Sequence, residues 1–307
     1  MGAFTCSSGT EVPEVGLGTY RMGDEDCARA VRTALDAGYR HIDTAMAYEN
    51  EELIGRTVAD SDVDRDEVFL TTKVKGYPEY LNYEGFREAA EGCLDRLDTE
   101  YVDLLLVHWW VPQGDMEGVF RAMDELVDEG RVRNVGVSNF STGELRRATR
   151  LSDAPILTNQ VEYHPYFYAN QQDLVEYCRE EDILVTAYSP LAEGRVVEDD
   201  TLAGIGDRYG KSAAQVSIRW SIQQDNVVAI PKSGTDRYIV ENLDVFDFEL
   251  SDEEMRRISQ VRGPMLYELL KEGGPVHTFR SSVGPYVPDA VRKSITATGK
   301  TALKIVQ

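Results

Sequence analysis

The sequence predicts a (β/α)8 barrel of the TIM-barrel class, with an N-terminal hairpin plugging its floor and a C-terminal tail over its mouth. Three observations carry this expectation. Eight short apolar runs alternate with amphipathic segments along the chain, the pattern of parallel strands joined by helices. Most runs are almost continuously apolar, as strands buried on both faces are. No GxGxxG follows the first run, so the phosphate fingerprint of an open doubly wound sheet is missing.

The elements follow in order. The stretch FTCSSGTEVPEVG near the start places an SSGT turn between two short β-like segments, which predicts the hairpin. Strands are predicted at 14–19, 39–43, 68–73, 102–108, 132–137, 156–160, 183–188 and 226–231. Between them, Phe86, Ala89, Ala90, Cys93, Leu94 and Leu97 repeat at helical spacing. Val119, Met123, Leu126 and Val127 form a similar stripe. Three capping boxes mark helix starts: Ser141 with Glu144, Ser212 with Gln215, and Ser251 with Glu254. No linker or compositional shift interrupts the chain before about residue 260, so its 307 residues are read as one barrel domain, 1–307, with an atypical tail at 261–307.

Composition narrows the function classes. The chain carries 54 acidic and 32 basic residues, a formal charge of -22. Such a field repels nucleic acid and anionic membranes. No apolar run approaches the ~20 residues that span a bilayer. The start lacks a basic segment followed by an apolar one, so no secretion signal is expected and a cytoplasmic location is. Lysine supplies only 8 of the 32 basic residues. With the carboxylate excess, this predicts a protein of a halophile with an acidic proteome. Cys6, Cys27, Cys93 and Cys178 form no CxxC pair, which predicts four reduced thiols. His41, His108, His164 and His277 are dispersed, and no cluster has metal-ligand spacing.

Barrel active sites gather at the C-terminal strand ends, and the polar residues there are informative. The second run ends in Asp43, with Thr44 and Tyr48 beyond. Lys73 ends the third run and His108 the fourth. Ser138 and Asn139 follow the fifth, and Asn159 and Gln160 end the sixth. Tyr188 and Ser189 lie at the seventh, Lys232 and Ser233 after the eighth. Singly, Asp43 also fits a helix cap, Lys73 a surface lysine and His108 a satisfied strand-end residue. Together they ring one mouth with an acid, a phenol, an amine and an imidazole. A tyrosine of pKa ~10 is a poor acid at neutral pH, and a nearby ammonium is expected to lower that value. Asp43 would hold Lys73 charged and oriented, and His108 would donate a hydrogen bond to a carbonyl oxygen. The set is suited to protonating an oxyanion as hydride arrives at carbon.

These residues lie in stretches that resemble the aldo-keto reductase family. They are HIDTAMAYENEELIG (41–55), TTKVK (71–75), LDRLDTEYVDLLLVHW (94–109), GVSNF (136–140), NQVEYHP (159–165), AYSPL (187–191) and AIPKS (229–233). The likeness is greatest to the small prokaryotic 2,5-diketo-gluconate and methylglyoxal reductases. It implies NAD(P)H-dependent reduction of small aldehydes and ketones, with catalytic Asp43, Tyr48, Lys73 and His108. It implies that Ser138, Asn139 and Gln160 hold the nicotinamide carboxamide and that Tyr188 stacks on its ring. Gly18, Thr19 and Tyr20 would lie beside the cofactor, and Ser189, Leu191 and Gly194 along its pyrophosphate. Lys232 and Ser233 would meet the adenosine end, with Glu241 and Asn242 on the adenine. Tyr20, Tyr48, His108 and Trp109 would line the substrate pocket. NADP(H) is the expected cofactor, NAD(H) the alternative, and the protein is expected as a monomer or small homo-oligomer.

Three positions depart from the family pattern. Tyr238 stands where NADPH-preferring members carry an arginine for the 2′-phosphate, and a phenol does not reproduce that bidentate grip. Trp110 replaces a proline after HW and is expected to reshape the pocket rim. From Val261 no family motif is recognised, and the tail is basic where the body is acidic. Two other classes remain at this stage: a slow, cofactor-binding regulatory subunit, and a lyase using Lys73 as a Schiff base.

Overall fold

The structure, a computed structural model, describes residues 2–6 and 9–263. The chain opens with β1 (Ala3–Thr5) paired antiparallel to β2 (Glu11–Pro13), with Phe4 opposite Val12. Gly9 takes φ +84° at the connecting turn, a conformation glycine adopts without a Cβ penalty. Phe4, Cys6 and Val12 pack on Phe69, Leu104, Leu106, Leu157, Leu184 and Val228. Phe69, Leu104 and Leu184 open their strands, so the hairpin keeps water from the apolar N-terminal end of the barrel, as expected.

The barrel strands are β3 (Leu17–Gly18), β4 (His41–Asp43), β5 (Phe69–Val74), β6 (Leu104–Val107), β7 (Val135–Ser138), β8 (Ile156–Glu162), β9 (Leu184–Tyr188) and β10 (Val227–Ile230). They pair in parallel in sequence order, from β3 to β10. The first and last strands meet through a parallel bridge from Val15 to Ala229 and a bond from Gly18 N to Pro231 O at 3.1 Å. A Cβ on Gly18 would lie 2.8 Å from Ile230 O, so closure at this seam requires glycine. All eight predicted runs become barrel strands, several shorter than predicted. The first keeps only Leu17–Gly18 because its other contact to β10 is an isolated bridge.

Helices α1 (Asp24–Ala37), α2 (Glu51–Ala59), α3 (Tyr83–Leu97), α4 (Met116–Asp128), α5 (Thr142–Leu151) and α6 (Tyr168–Glu180) separate β3 to β9. Helices α7 (Asp200–Gly206) and α8 (Ala213–Ile222) precede β10, and α9 (Asp236–Leu243) and α10 (Asp252–Ile258) follow it. The predicted α3 stripe is wholly buried, and each large apolar side chain so buried contributes about 1.5–3 kcal/mol. On α4 the buried face is Met116, Val119, Phe120, Met123 and Leu126. Val127, in the last turn of the helix, is half-exposed, while Phe120, seven residues earlier on the same side, is buried. All three capping boxes form, with side chain and backbone bonded reciprocally.

Contacts divide the chain into one unit of Met1–Arg262 and another of Gly263–Gln307. The tail expected at 261–307 lies, apart from its first three residues, outside the described residues. Among the described residues no helix is long and apolar enough to cross a membrane.

Candidate active site

The parallel strands bring their C-terminal ends to one mouth, and the sequence-predicted polar residues collect there. Asp43 closes β4 and Lys73 lies one residue from the end of β5. His108 follows β6 directly. Tyr48 ends a 3-10 turn, Met46–Tyr48, closed by its own N–H on Ala45 O at 2.8 Å. Glu49 then takes φ +58° and turns the chain into α2.

Lys73 and Asp43 are 0% and 1% exposed. Lys73 Nζ donates to Asp43 Oδ1 at 2.7 Å and to Thr44 O at 2.6 Å. The other carboxylate oxygen, Asp43 Oδ2, accepts from Gln160 Nε2 at 2.7 Å. Lys73 Nζ lies 4.9 Å from the centre of the Tyr48 ring. The His108 ring meets Tyr48 edge-on at 6.0 Å, and Tyr20 packs on its other side at 5.0 Å. Asp43, Tyr48, Lys73 and His108 therefore form one cluster.

The electrostatics correct one expectation. Lys73 was expected to lower the Tyr48 pKa, but the phenol is held well above its ordinary value. Withdrawal from water is the largest cause, with Asp43, Tyr188 and Tyr20 adding to it. A buried phenolate is disfavoured more than the ammonium below it compensates. Burial likewise pulls the Lys73 pKa down, opposed by the Asp43 carboxylate. Because Lys73 is fully buried and already donates to Asp43 and Thr44, it is badly placed for a Schiff base.

The remaining strand ends form a hydrogen-bonded arc. Ser138 Oγ donates to Gln160 O at 3.0 Å. Asn139 Nδ2 donates to Ser138 Oγ at 2.9 Å and to His108 O at 3.2 Å, and Asn139 Oδ1 accepts from Tyr188 Oη at 2.9 Å. Asn139 holds φ +62°, a left-handed conformation that asparagine tolerates better than most residues. After β9, Ser189, Ala192, Glu193 and Gly194 take φ of +50°, +48°, +57° and +92°. Loops in which left-handed residues recur form concave backbone surfaces suited to anions. This geometry fits the pyrophosphate of a dinucleotide beside an amide-rich pocket. Lys232 is exposed at the same mouth. The Ser233 hydroxyl is engaged with the backbone of Thr235.

On α9, Tyr238 is 53% exposed. Arg237 Nε is paired with Glu241 at 2.6 Å, and Arg29 of α1 is bonded to Asp236 and to Gly234 O. Asn242 is buried. Trp109 stacks on His108 at 6.1 Å. Trp110 meets Phe140 edge-on at 5.4 Å beneath Arg147 at 5.1 Å, so contacts with α5 and its N-terminal approach hold this departure. Cys6, Cys27, Cys93 and Cys178 are all buried and free of disulfides. Among the described residues no His, Cys, Asp or Glu group has the arrangement of a metal site.

The aldo/keto reductase family model matches residues 14–262. The chain belongs to that family. It is 42% identical over 264 residues to an aldo-keto reductase of Mycobacterium sp. (strain JLS), covering 85% of this chain and 94% of the relative. It is 39% identical over 270 residues to the glyoxal reductase of Bacillus subtilis (strain 168), covering 86% and 95%. Among solved structures it is similar to MGS-M4, an aldo-keto reductase from a Medee basin deep-sea metagenome library. The TM-score is 0.80 at 38% identity, covering 84% of this chain and 94% of that one. This aldo-keto reductase is thus an oxidoreductase, and its family reduces carbonyls with nicotinamide cofactors.

Sequence reasoning passed over two residues. Asn50 is buried beneath the loop that carries Tyr20. Glu51, 1% exposed, is held by Arg96 Nε at 2.7 Å and by the Thr72 hydroxyl. In the sequence Glu51 is an ordinary acid in a first helical turn. Only the packing of α2 on α3 encloses it, so no pattern along the chain marks it.

Proposed function

We propose that this aldo-keto reductase reduces small aldehydes and ketones, dicarbonyls of the methylglyoxal kind among them, with Tyr48 as proton donor. The observation that carries this reading is the Tyr48 phenol above the buried Lys73–Asp43 pair at the barrel mouth. When bound, the nicotinamide supplies hydride to the carbonyl carbon. Tyr48 Oη gives its proton to the carbonyl oxygen as negative charge grows there. Its raised pKa keeps that proton in place through neutral pH. The Lys73 ammonium below the ring stabilises the phenolate left behind, and Asp43, oriented by Gln160, holds the ammonium in place. His108 donates a hydrogen bond that orients the carbonyl, and Tyr20 and Trp109 wall the pocket. The glyoxal reductase relative supports a small dicarbonyl as substrate.

Ser138, Asn139 and Gln160 are the residues for the carboxamide, Tyr188 for the ring face, and the Ser189–Leu191–Gly194 loop for the pyrophosphate. Gly18, Thr19 and Tyr20 flank the cofactor on the β3 side. Lys232 and Ser233 favour NADP(H) at the adenosine end, with Glu241 and Asn242 toward the adenine. Tyr238, and the pairing of Arg237 with Glu241, leave the 2′-phosphate loosely gripped, so NAD(H) is also used. Four buried thiols and a charge of -22 support a reducing cytoplasm of high ionic strength.

The test is an NADPH and NADH oxidation screen with methylglyoxal, diketo-gluconate, short aldehydes and aromatic aldehydes, from low to molar salt. Turnover is expected with both cofactors, and negligible NADH activity would remove the dual-cofactor reading. Tyr48→Phe should lower kcat by at least about 10²-fold and leave NADPH affinity within a few-fold. Near-wild-type kcat in Tyr48→Phe would overturn the proton-donor assignment.

A further inference from the structure

Asn50 occupies the N-cap position of α2, yet its side chain makes no cap bond to that helix. An N-cap asparagine ordinarily accepts from the first-turn N–H groups and stabilises the helix. Here the amide is committed elsewhere. Asn50 is 4% exposed. Its Nδ2 donates to Thr19 O at 3.0 Å and to Met22 O at 3.1 Å. Its Oδ1 accepts from Thr44 Oγ1 at 2.7 Å. One side chain thus satisfies two carbonyls of one loop and a hydroxyl of another.

Both loops lead to the reaction centre. Thr19 and Met22 are the two ends of a tight turn, closed by Met22 N on Thr19 O at 3.1 Å. Tyr20 and Arg21 form its tip, with Arg21 at φ +56°. The Arg21 guanidinium lies 5.0 Å from the Tyr20 ring, which packs at 5.0 Å on Tyr48. Tyr20 is 53% exposed, so among the described residues the anchored base of the turn and these ring contacts are what hold it over Tyr48. On the other side, Thr44 gives its hydroxyl to Asn50 while its carbonyl takes the Lys73 ammonium at 2.6 Å.

We propose that Asn50 is a positioning residue of the reductase. It clamps the Tyr20 turn over Tyr48 and, through Thr44, fixes the carbonyl that orients Lys73. The proposal rests on the reductase reading and on Tyr48 as its proton donor. Ala at position 50 removes both arms. Asp keeps an acceptor for Thr44 but sets carboxylate oxygen against the Thr19 and Met22 carbonyls, so it breaks the turn arm. Thr44→Val breaks only the lysine arm.

The arms predict different kinetic signatures. Loosening the Tyr20 turn removes a wall of the pocket and admits water to Tyr48. Asn50→Asp should therefore raise KM for methylglyoxal by about tenfold. It should also move the alkaline limb of kcat/KM to lower pH, because a more hydrated phenol ionises more easily. The charged or titratable groups facing Tyr48 are Asp43 from β4, Lys73 from β5, His108 after β6, Tyr188 from β9 and Tyr20 itself. Of these, Tyr20 sits on the turn that Asn50 holds. Thr44→Val should lower kcat more than it raises KM.

The experiment measures steady-state kinetics and pH profiles with NADPH and methylglyoxal for the wild type, Asn50→Asp, Asn50→Ala, Thr44→Val, Tyr20→Ala and Asn50→Ala/Tyr20→Ala, with melting curves as a folding check. The KM effects of Asn50→Ala and Tyr20→Ala should be less than additive, since both act through one turn. Additive effects would overturn the proposal. So would folded Asn50 variants that melt lower yet keep the wild-type KM and pH limb. If Asn50→Ala does not fold, the Thr44→Val and Asn50→Asp kinetic split decides the matter, and identical profiles from the two would reject it. A wild type that does not oxidise NADPH with any carbonyl rejects the reductase reading instead. A Tyr48→Phe enzyme that keeps its kcat rejects the proton-donor assignment.

Discussion

Asp43→Ala isolates the most heavily buried ion pair of the mouth. Lys73 has no solvent exposure, and its charge is balanced by Asp43 at 2.7 Å, with Thr44 O the other acceptor. Deleting the carboxylate leaves an ammonium facing one carbonyl, and it strips Gln160 Nε2 of its acceptor. Breaking a buried pair by removing one partner costs about 3–5 kcal/mol. At roughly 2–4 °C per kcal/mol for a domain of this size, the melting temperature should fall by about 6–20 °C at pH 7. The pH dependence carries a sign. Burial already holds the Lys73 pKa below its ordinary 10.5, and losing Asp43 lowers it further. Between the folded-state pKa and 10.5 the unfolded chain binds more protons at this lysine than the folded one. The Lys73 contribution to stability therefore rises with pH in that window, more steeply in the variant. The gap between variant and wild type should narrow from pH 7 to pH 10. Calorimetric melts at both pH values measure it. A drop below about 2 °C at pH 7, against the estimate above, or a gap that widens toward pH 10, would refute the argument.

Arg96→Ala uncovers the Glu51 carboxylate and leaves it bonded to the Thr72 hydroxyl. Because Arg96 is 41% exposed, the expected loss is about 1–3 kcal/mol, and Glu51→Gln in the same chain should recover part of it in urea unfolding. His41 is enclosed by Phe69 and Thr71, and burial pushes its pKa down to about 4. Folded His41 stays neutral while unfolded His41 takes a proton below about 6.5, so stability rises with pH across that window, by about 3 kcal/mol for this group. His41→Leu should flatten urea-derived stability between pH 4 and 6.5, and an unchanged slope would count against the assignment. Tyr238→Arg places a guanidinium where the 2′-phosphate is expected and should raise the NADPH over NADH ratio of kcat/KM by about tenfold. An unchanged ratio would remove position 238 from the cofactor grip.

Much of this molecule is legible along the chain where its physics is local. The α3 stripe from Phe86 to Leu97 is buried as its spacing predicts. The capping boxes at Ser141, Ser212 and Ser251 form as their i, i+3 pairs require. Asp43, Lys73 and His108 meet because parallel strands in sequential order place like ends together. Elsewhere local pattern falls short. Val127 shares its side of α4 with the buried Phe120 but sits in the last turn, where the neighbours that would cover it are set by the fold and not by the spacing. The Phe140 and Arg147 contacts that hold the Trp110 ring have no mark in the sequence. Nothing along the chain marks Asn50, whose amide holds two loops.

The division follows from the range of the forces involved. Strand and helix positions and the order of polar residues around the mouth arise from backbone periodicity and from contacts a few residues long, which the chain carries in linear form. The ionisation of Tyr48, the pairing of both Asp43 oxygens and the burial of Glu51 and Asn50 depend largely on residues distant in the chain, such as Tyr188 near Tyr48, Gln160 on Asp43, Arg96 on Glu51 and Thr19 on Asn50. Their side chains meet only after the barrel closes. Desolvation is a property of everything packed around a group, and it reversed the pKa shift that a neighbouring ammonium alone would give.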